Sequence, residues 1–153
     1  MLREAYEFAK NESSASNDIE TGGILLGYRT IDGKHVILRI TGPGPKAVRT
    51  PTWSEKDTQY CQAQIEETFS ELGDRGLYLG EWHYHAAGGN SPSGTDIKSL
   101  TEIAAQENYR IDKPVMIILS PALECAITIH DKSGQCVTLP IRILDKEEDA
   151  NNV

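Results

Sequence analysis

The sequence predicts a single-domain α/β chain of the α+β type, with a mixed or largely antiparallel sheet. Its 153 residues are enough to bury about two-thirds of the unfolded surface in one core. Segments of helical and of strand-like periodicity are mixed along the chain. Turn signals at Asp32-Gly33 and at Asp131–Gly134 join successive strands as hairpins, which favours antiparallel pairing over a doubly wound sheet.

The composition indicates a soluble, cytoplasmic protein whose partner is a protein or peptide. Hydrophobic residues make up 39% and charged residues 25%, and no run of eighteen apolar residues occurs. The three cysteines (Cys61, Cys125 and Cys136) lack zinc-finger or Cys-x-x-Cys spacing, so we expect reduced thiols. A net charge of -8 disfavours nucleic acid and anionic lipid, since both require clustered Lys and Arg.

Periodicity predicts the elements of the N-terminal half. Apolar spacing predicts a first helix over Leu2–Asn11, which the following polar segment ends. Strands are expected on both sides of Asp32-Gly33, and the Pro- and Gly-rich segment Thr41–Thr52 predicts a loop. Ser54 is the predicted start of a second helix, which Gly73 ends.

The C-terminal half begins with a predicted strand that carries two histidines. Strand alternation divides its side chains between two faces: Leu77, Leu79, Glu81, His83 and His85 on one, and Tyr78, Gly80, Trp82 and Tyr84 on the other. A helix is predicted over Thr95–Asn108, with Ser93 or Thr95 near its N-cap, and three strands follow. We expect one domain over residues 1–144 and an acidic, disordered tail over 145–153.

The segment GEWHYHAAGGNSPSGTD, from Gly80 to Asp96, carries a metal-ligand pattern. Two imidazoles at positions i and i+2 of a strand lie on one face, about 7 Å apart at the backbone. An isolated His-x-His is more often a pair of ordinary polar residues, but Asp96 offers a third ligand behind a Gly/Ser/Pro loop. Catalytic zinc commonly takes three protein ligands and keeps a fourth position for water, so His83, His85 and Asp96 predict an open zinc site.

Hydrolysis at such a site also requires a base and a hydrogen-bond donor for the developing oxyanion. Ser93 is the candidate donor. Two carboxylates are candidate bases: Glu81, on the histidine strand, and Glu20, just before the first hydrophobic strand. The residues alone do not choose between them.

Glu20–Gly27 (ETGGILLG), followed by His83-x-His85 and then Ser93-x-x-Asp96, resembles the signature of the JAMM (MPN-plus, Mov34) metalloproteases. The resemblance covers about Leu2 to Leu119. It implies that Glu20 is the general base, that the two histidines and the aspartate hold one zinc per chain, and that Ser93 stabilises the tetrahedral intermediate. It also implies a cytidine-deaminase-like JAB/MPN fold, in which helices flank a curved sheet.

Two positions depart from the family pattern, and neither is a ligand. Tyr84 replaces the usual Ser or Thr between the histidines, and Ala86 replaces the proline that commonly follows them. We expect Tyr84 to pack or line the rim rather than bind substrate. Trp53 lies where family members often carry an insertion that contacts substrate, so Trp53 is a candidate substrate-binding residue. Tyr84 is kept as the second candidate because it lies between the two histidines.

The resemblance implies a zinc isopeptidase or peptidase that cuts after the C-terminal tail of a ubiquitin-like protein. Its partners would be that protein or its conjugate, and the ubiquitin-activating-like and ubiquitin-conjugating-like proteins of antiphage operons. The alternatives are a relative that processes sulfur-carrier proteins and a catalytically silent interaction module. The sequence leaves open the cognate substrate, the choice between isopeptide and linear bonds, and the oligomeric state.

Overall fold

The computed structural model describes residues 1–121, 126–130 and 135–146. Three α-helices and eight strands, with short 3₁₀ turns at Gly73–Arg75 and Glu107–Tyr109, make up this part of the chain. In chain order the elements are α1 (Arg3–Ser16), β1 (Thr21–Arg29), β2 (His35–Ile40), β3 (Val48–Thr50), β4 (Trp53–Glu55), α2 (Thr58–Leu72), β5 (Leu77–Tyr84), α3 (Gly94–Ala105), β6 (Val115–Leu119), β7 (Ala126–His130) and β8 (Cys136–Leu139).

Six strands form one sheet in the order β2-β1-β5-β6-β7-β8. Neighbours pair antiparallel except β5 and β6, which run parallel. A parallel pair needs a crossover connection, and α3 lies within that connection. The mixed, largely antiparallel sheet confirms the predicted fold class.

The central strands β1, β5 and β6 carry the core. Leu25, Leu79 and Trp82 are fully buried, and the Trp82 indole N–H donates to the Thr41 carbonyl at 2.8 Å. Helices flank the sheet and cover these strands, which are therefore apolar along most of their length. Two contacts illustrate this packing: Ala5 and Ala9 of α1 join the main core, and Leu100 of α3 packs against Met116 and Ile118 of β6.

The first helix is longer than predicted. It continues to Ser16, because the hydroxyls of Ser13 and Ser16 donate back to the carbonyls of Ala9 and Glu12. A serine hydroxyl bonded in this way has its hydrogen-bond partner inside the helix, so the serine does not end the helix. The helix ends instead at Asn17, whose φ is 52°.

The prediction that a helix begins at Ser54 is wrong. Ser54 lies in β4, which forms a small hairpin with β3, and β3 lies in the segment predicted to be a loop. The helix begins four residues later, where the Asp57 carboxylate accepts from the backbone N–H groups of Gln59 and Tyr60. A carboxylate that binds these exposed amides is a strong N-cap.

The alternation predicted for β5 is broken by a bulge. Gly80 pairs with Leu25 and Tyr78 with Leu26, so the register shifts at this point. Gly80 has a φ of 142°, and a side-chain carbon there would lie 1.9 Å from the Val115 carbonyl oxygen. The bulge turns Tyr78 to the side of Glu81, which corrects its predicted placement on the opposite face.

Other boundaries agree with expectation. Gly33 has a φ of 86° in the connection between β1 and β2, and Gly73 ends α2 with a φ of 58°. The predicted turn at 131–134 and tail residues 147–153 lie outside the described residues, as do residues 122–125, which belong to the second of the three strands predicted after the helix. Among the helices that are described, none has the length and apolar character needed to span a membrane.

Candidate metal centre and active site

The end of β5 and the start of α3 bring the three predicted ligands together. His83 is paired with Gly22 of β1 and with Ile118 of β6, so strands on both sides fix its backbone. His85 lies just beyond the strand, and its backbone N–H donates to the Leu119 carbonyl at 2.9 Å. The two imidazoles are consequently held at the C-terminal end of β5, an inner strand of the sheet, with the spacing that strand alternation predicted.

Asp96 is positioned by the helix cap. Ser93 and Asp96 form a reciprocal capping box, in which the Ser93 N–H donates to Asp96 Oδ2 at 2.7 Å. The Asp96 N–H donates in return to Ser93 Oγ at 3.2 Å. Asp96 is 5% exposed, whereas Ser93 is exposed at the loop. One cap thus orients a buried carboxylate toward the histidines and leaves a hydroxyl at the surface beside it.

The ligand atoms of His83, His85 and Asp96 lie within 4.8 Å of one another. Asp96 Oδ1 is 3.3 Å from His83 Nδ1, and Asp96 Oδ2 is 3.5 Å from His85 Nε2. Two imidazole nitrogens and one carboxylate oxygen form a donor set that leaves coordination positions open. The arrangement is compatible with a metal site.

Electrostatics within the cluster favour an ionised aspartate. Burial acts to raise the pKa of Asp96, but hydrogen bonds with His85 and Ser93 outweigh it and hold the pKa well below its usual range. The hydrogen bond with Asp96 raises the pKa of His85 in turn. Asp96 is therefore present as the anion that a metal requires.

Glu20 lies beside this cluster, immediately before β1. Its backbone N–H donates to the Thr50 carbonyl of β3 at 2.9 Å, which ties the residue to the small hairpin. Partial burial raises the pKa of the Glu20 carboxyl, and the nearby His85 and His83 oppose that rise. A half-buried carboxyl with a raised pKa, adjacent to a ligand cluster, has the properties of a general base.

Glu81, the other carboxylate considered as a base, is 9% exposed and already has several partners. Lys56 Nζ lies 2.9 Å from its Oε1, the Tyr78 hydroxyl donates to the same oxygen at 3.2 Å, and its Oε2 is 3.5 Å from His83 Nε2. Burial acts to raise the pKa of Glu81, but His83 and Lys56 together lower it to about 2. Such a carboxylate stays charged and is poorly suited to exchange protons near neutral pH.

No sequence pattern indicated a role for Lys56, and strand alternation placed Tyr78 on the wrong face. Lys56 lies between β4 and the Asp57 cap, so its approach to Glu81 depends on a hairpin that was not predicted. Tyr78 reaches Glu81 because of the bulge at Gly80. A glycine inside an apolar strand is the one sequence signal that could have indicated this bulge.

The two candidate substrate-binding residues lie in different surroundings. Trp53 is 45% exposed and lines a groove of about 950 Å³, together with Lys56, Tyr78 and Glu81. Tyr84 is 9% exposed and packs in the main core, which favours a packing role over contact with a substrate.

The fold and the cluster together define an α+β domain with a candidate metal site, and comparison with known proteins identifies its family. A family model described as prokaryotic homologs of the JAB domain matches residues 3–145, so the chain belongs to that family. This confirms the resemblance drawn from the sequence motifs.

Two curated relatives have informative names. The probable metalloprotease y4qB of Sinorhizobium fredii is 33% identical over 109 residues, which cover 71% of this chain and 66% of the relative. A CD-NTase/cGAS isopeptidase of Enterobacter hormaechei is 34% identical over 113 residues, covering 65% of this chain and 54% of the relative. The chain thus spans between half and two-thirds of the length of these relatives.

Solved structures support the fold alone. The solution structure of protein DSY2949 from Desulfitobacterium hafniense superposes with a TM-score of 0.71 at 18% identity, covering 97% of this chain and 94% of that one. A protein from Salinibacter ruber gives a TM-score of 0.58 at 16% identity, with 96% and 92% coverage.

Proposed function

We propose that this chain is a zinc-dependent peptidase or isopeptidase that hydrolyses the bond after the C-terminal tail of a ubiquitin-like protein. The observation that carries the proposal is the cluster of His83, His85 and Asp96, with Glu20 and Ser93 adjacent to it. Membership of the JAB family and the names of the curated relatives support the same conclusion.

His83, His85 and Asp96 would hold the zinc ion. Two imidazoles and a carboxylate match the three-ligand sets of catalytic zinc sites, which keep one position open. Zinc in that position would supply Lewis-acid chemistry, which polarises the scissile carbonyl and makes water nucleophilic near neutral pH.

Glu20 and Ser93 would perform the proton and charge chemistry. Glu20 would accept a proton from the attacking water as the C–O bond forms, and would deliver it to the leaving amine as the C–N bond breaks. The Ser93 Oγ accepts the Asp96 N–H, which fixes the oxygen, and its hydroxyl proton would turn to the developing oxyanion. Both residues are placed by backbone hydrogen bonds and not by loops alone.

The substrate proposal rests on shape and charge. An extended, slender tail can add to an exposed strand. The groove beside Trp53 is lined by apolar and charged side chains, among them Glu81, which contacts His83 of the cluster. A net charge of -8 favours a ubiquitin-like body that presents a basic or apolar patch. The isopeptidase names of relatives favour a conjugated protein as the substrate. On the motif resemblance alone, the proposal extends to a cytoplasmic role in bacterial antiviral defence, with ubiquitin-activating-like and ubiquitin-conjugating-like partners.

The proposal is tested by comparing the zinc-loaded protein with Glu20→Gln on ubiquitin-like fusion proteins. Glu20→Gln is expected to lower turnover by about 10²- to 10⁴-fold while zinc content stays at one per chain, because the carboxylate moves protons and is not a ligand. Glu102→Gln, on the exposed side of α3, is the matched control and should leave turnover and zinc content unchanged. A wild-type protein that retains no zinc, or a Glu20→Gln variant that cleaves normally, would overturn the mechanism.

A further inference from the structure

A neutral histidine carries one N–H and one lone pair, and only the nitrogen with the lone pair binds a metal. The partner of the other nitrogen therefore decides which nitrogen a histidine presents. In this chain the two histidines of the cluster have different partners, and the partners select opposite nitrogens.

His83 points its Nδ1 at the cluster, 3.3 Å from Asp96 Oδ1. Its Nε2 points the other way and lies 3.5 Å from Oε2 of Glu81. Carboxylates therefore face both ring nitrogens, but a metal bound between His83 and Asp96 would take up the Nδ1 lone pair. The proton would then lie on Nε2, and Glu81 Oε2 is the acceptor placed to receive it.

The orientation of Glu81 is itself fixed. Lys56 Nζ and the Tyr78 hydroxyl both approach its Oε1, at 2.9 Å and 3.2 Å, which leaves Oε2 for His83. Glu81 is buried, and the bulge at Gly80 places Tyr78 on the same side of the strand. Two donors on one oxygen make the other oxygen the one that faces the imidazole.

His85 has the reverse arrangement. Its Nδ1 lies 3.2 Å from the Gly89 carbonyl oxygen, which accepts and cannot donate. Its Nε2 faces Asp96 Oδ2 at 3.5 Å, so with a metal in the cluster Nε2 would be the ligand and Nδ1 would carry the proton that Gly89 accepts.

We propose that Glu81 is a positioning residue that holds His83 in its Nε2–H tautomer, so that His83 presents Nδ1 and His85 presents Nε2 to the metal. The inference rests on the proposed zinc site, and it gives Glu81 a role distinct from that of the base Glu20. Lys56 belongs to the same chain of contacts, which links the segment after the β3–β4 hairpin to a metal ligand.

Glu81→Gln tests this with almost no change in volume. Lys56 and Tyr78 would retain the amide oxygen of the new side chain and so turn its NH₂ toward His83. That donor requires a lone pair on Nε2 and moves the proton to Nδ1. Zinc affinity should then fall by about 10- to 100-fold, the usual cost of losing an outer carboxylate partner. Glu102→Gln, the same change at an exposed carboxylate of α3, is the control and should bind zinc within about threefold of wild type.

Two readouts are needed, and neither is catalytic activity. Long-range ¹H–¹⁵N NMR of the zinc-loaded protein, with ¹⁵N-labelled histidine, should show His83 as Nε2–H and His85 as Nδ1–H in the wild type. In Glu81→Gln only the His83 Nε2–H signal should shift or be lost, and a competition titration with zinc alone should show the loss of affinity. An unchanged His83 Nε2–H signal with unchanged zinc affinity would overturn the inference while leaving the proposed function intact. Normal zinc binding and tautomers without cleavage of any fusion would instead overturn the proposed function.

Discussion

The Ser93 hydroxyl has two proposed roles, one in helix capping and one in catalysis, and substitutions at this position can measure each of them. Its Oγ accepts the Asp96 N–H at 3.2 Å as the cap of α3, and its proton is the proposed oxyanion donor. Ser93→Ala removes both. Loss of the cap should cost about 1 kcal/mol of stability, and loss of one oxyanion donor should lower turnover by about 10²- to 10³-fold.

Two further substitutions at Ser93 divide these effects. Ser93→Gly costs a helix cap only a few tenths of a kcal/mol, so this variant should be nearly as stable as wild type yet turn over as slowly as Ser93→Ala. Ser93→Thr keeps a hydroxyl and should retain both functions. Urea unfolding of the metal-free protein measures the cap, and single-turnover cleavage of a fusion measures the donor. A Ser93→Gly enzyme that turns over within about tenfold of wild type would refute the proposed role.

Three predictions concern stability. Gly80→Ala should lower the free energy of unfolding by about 2–4 kcal/mol, because φ at Gly80 is 142° and a side-chain carbon would meet the Val115 carbonyl. Gly73→Ala has open space around the new carbon and should lower it by about 1 kcal/mol. Urea unfolding compares the two variants, and equal losses of stability would contradict the prediction. Asp57→Ala should lose about 2 kcal/mol as the cap of α2 and Asp57→Asn much less, measured in the same way. Burial lowers the pKa of His35 from 6.5 to about 4, so the unfolded chain binds the proton more tightly and the free energy of unfolding should fall as the pH drops from 6.5 toward 4. His35→Gln should flatten this dependence in the metal-free protein, and an unchanged slope would count against the buried neutral histidine.

The ligand cluster was predictable because each of its geometric requirements is local. His83 and His85 share a face by strand alternation over only two residues, and that short stretch does not cross the bulge at Gly80. Ser93 and Asp96 have the spacing of a capping box, which sets their relation within one helical turn. Only the approach of α3 to the end of β5 depends on tertiary structure, and the family resemblance is what predicted it.

The features that were missed depend on pairing between distant segments. The hairpin pairs β3, where Pro and Gly predicted a loop, with β4, where Ser54 was predicted to start a helix. Arg49 of β3 reaches Glu12 of α1 at 3.5 Å and the Thr21 hydroxyl at 3.2 Å. Contacts of this kind override local propensity, and no pattern in the segment itself encodes them. The contact between Lys56 and Glu81 was unpredictable for the same reason.

The C-terminal end of α1 was mispredicted for a different reason. Serines are weak helix formers by propensity, yet Ser13 and Ser16 are buried and bonded to carbonyls one turn earlier. Whether a serine caps, breaks or continues a helix depends on the surface that it meets. The Ser13 and Ser16 side chains lie where α1 packs, which periodicity of the apolar residues alone did not reveal.

The most direct test of the central claim is the mass of the products released from matched fusions. The zinc-loaded protein is incubated with a ubiquitin-like protein joined through its Gly-Gly tail to a reporter, with a fusion whose last glycine is replaced by a bulky residue, and with an unstructured peptide of equal length. The account predicts one cut, directly after the tail, in the first fusion, and loss of most cleavage in the second. Equal cutting of the unstructured peptide, or no cutting of any ubiquitin-like fusion, would contradict it.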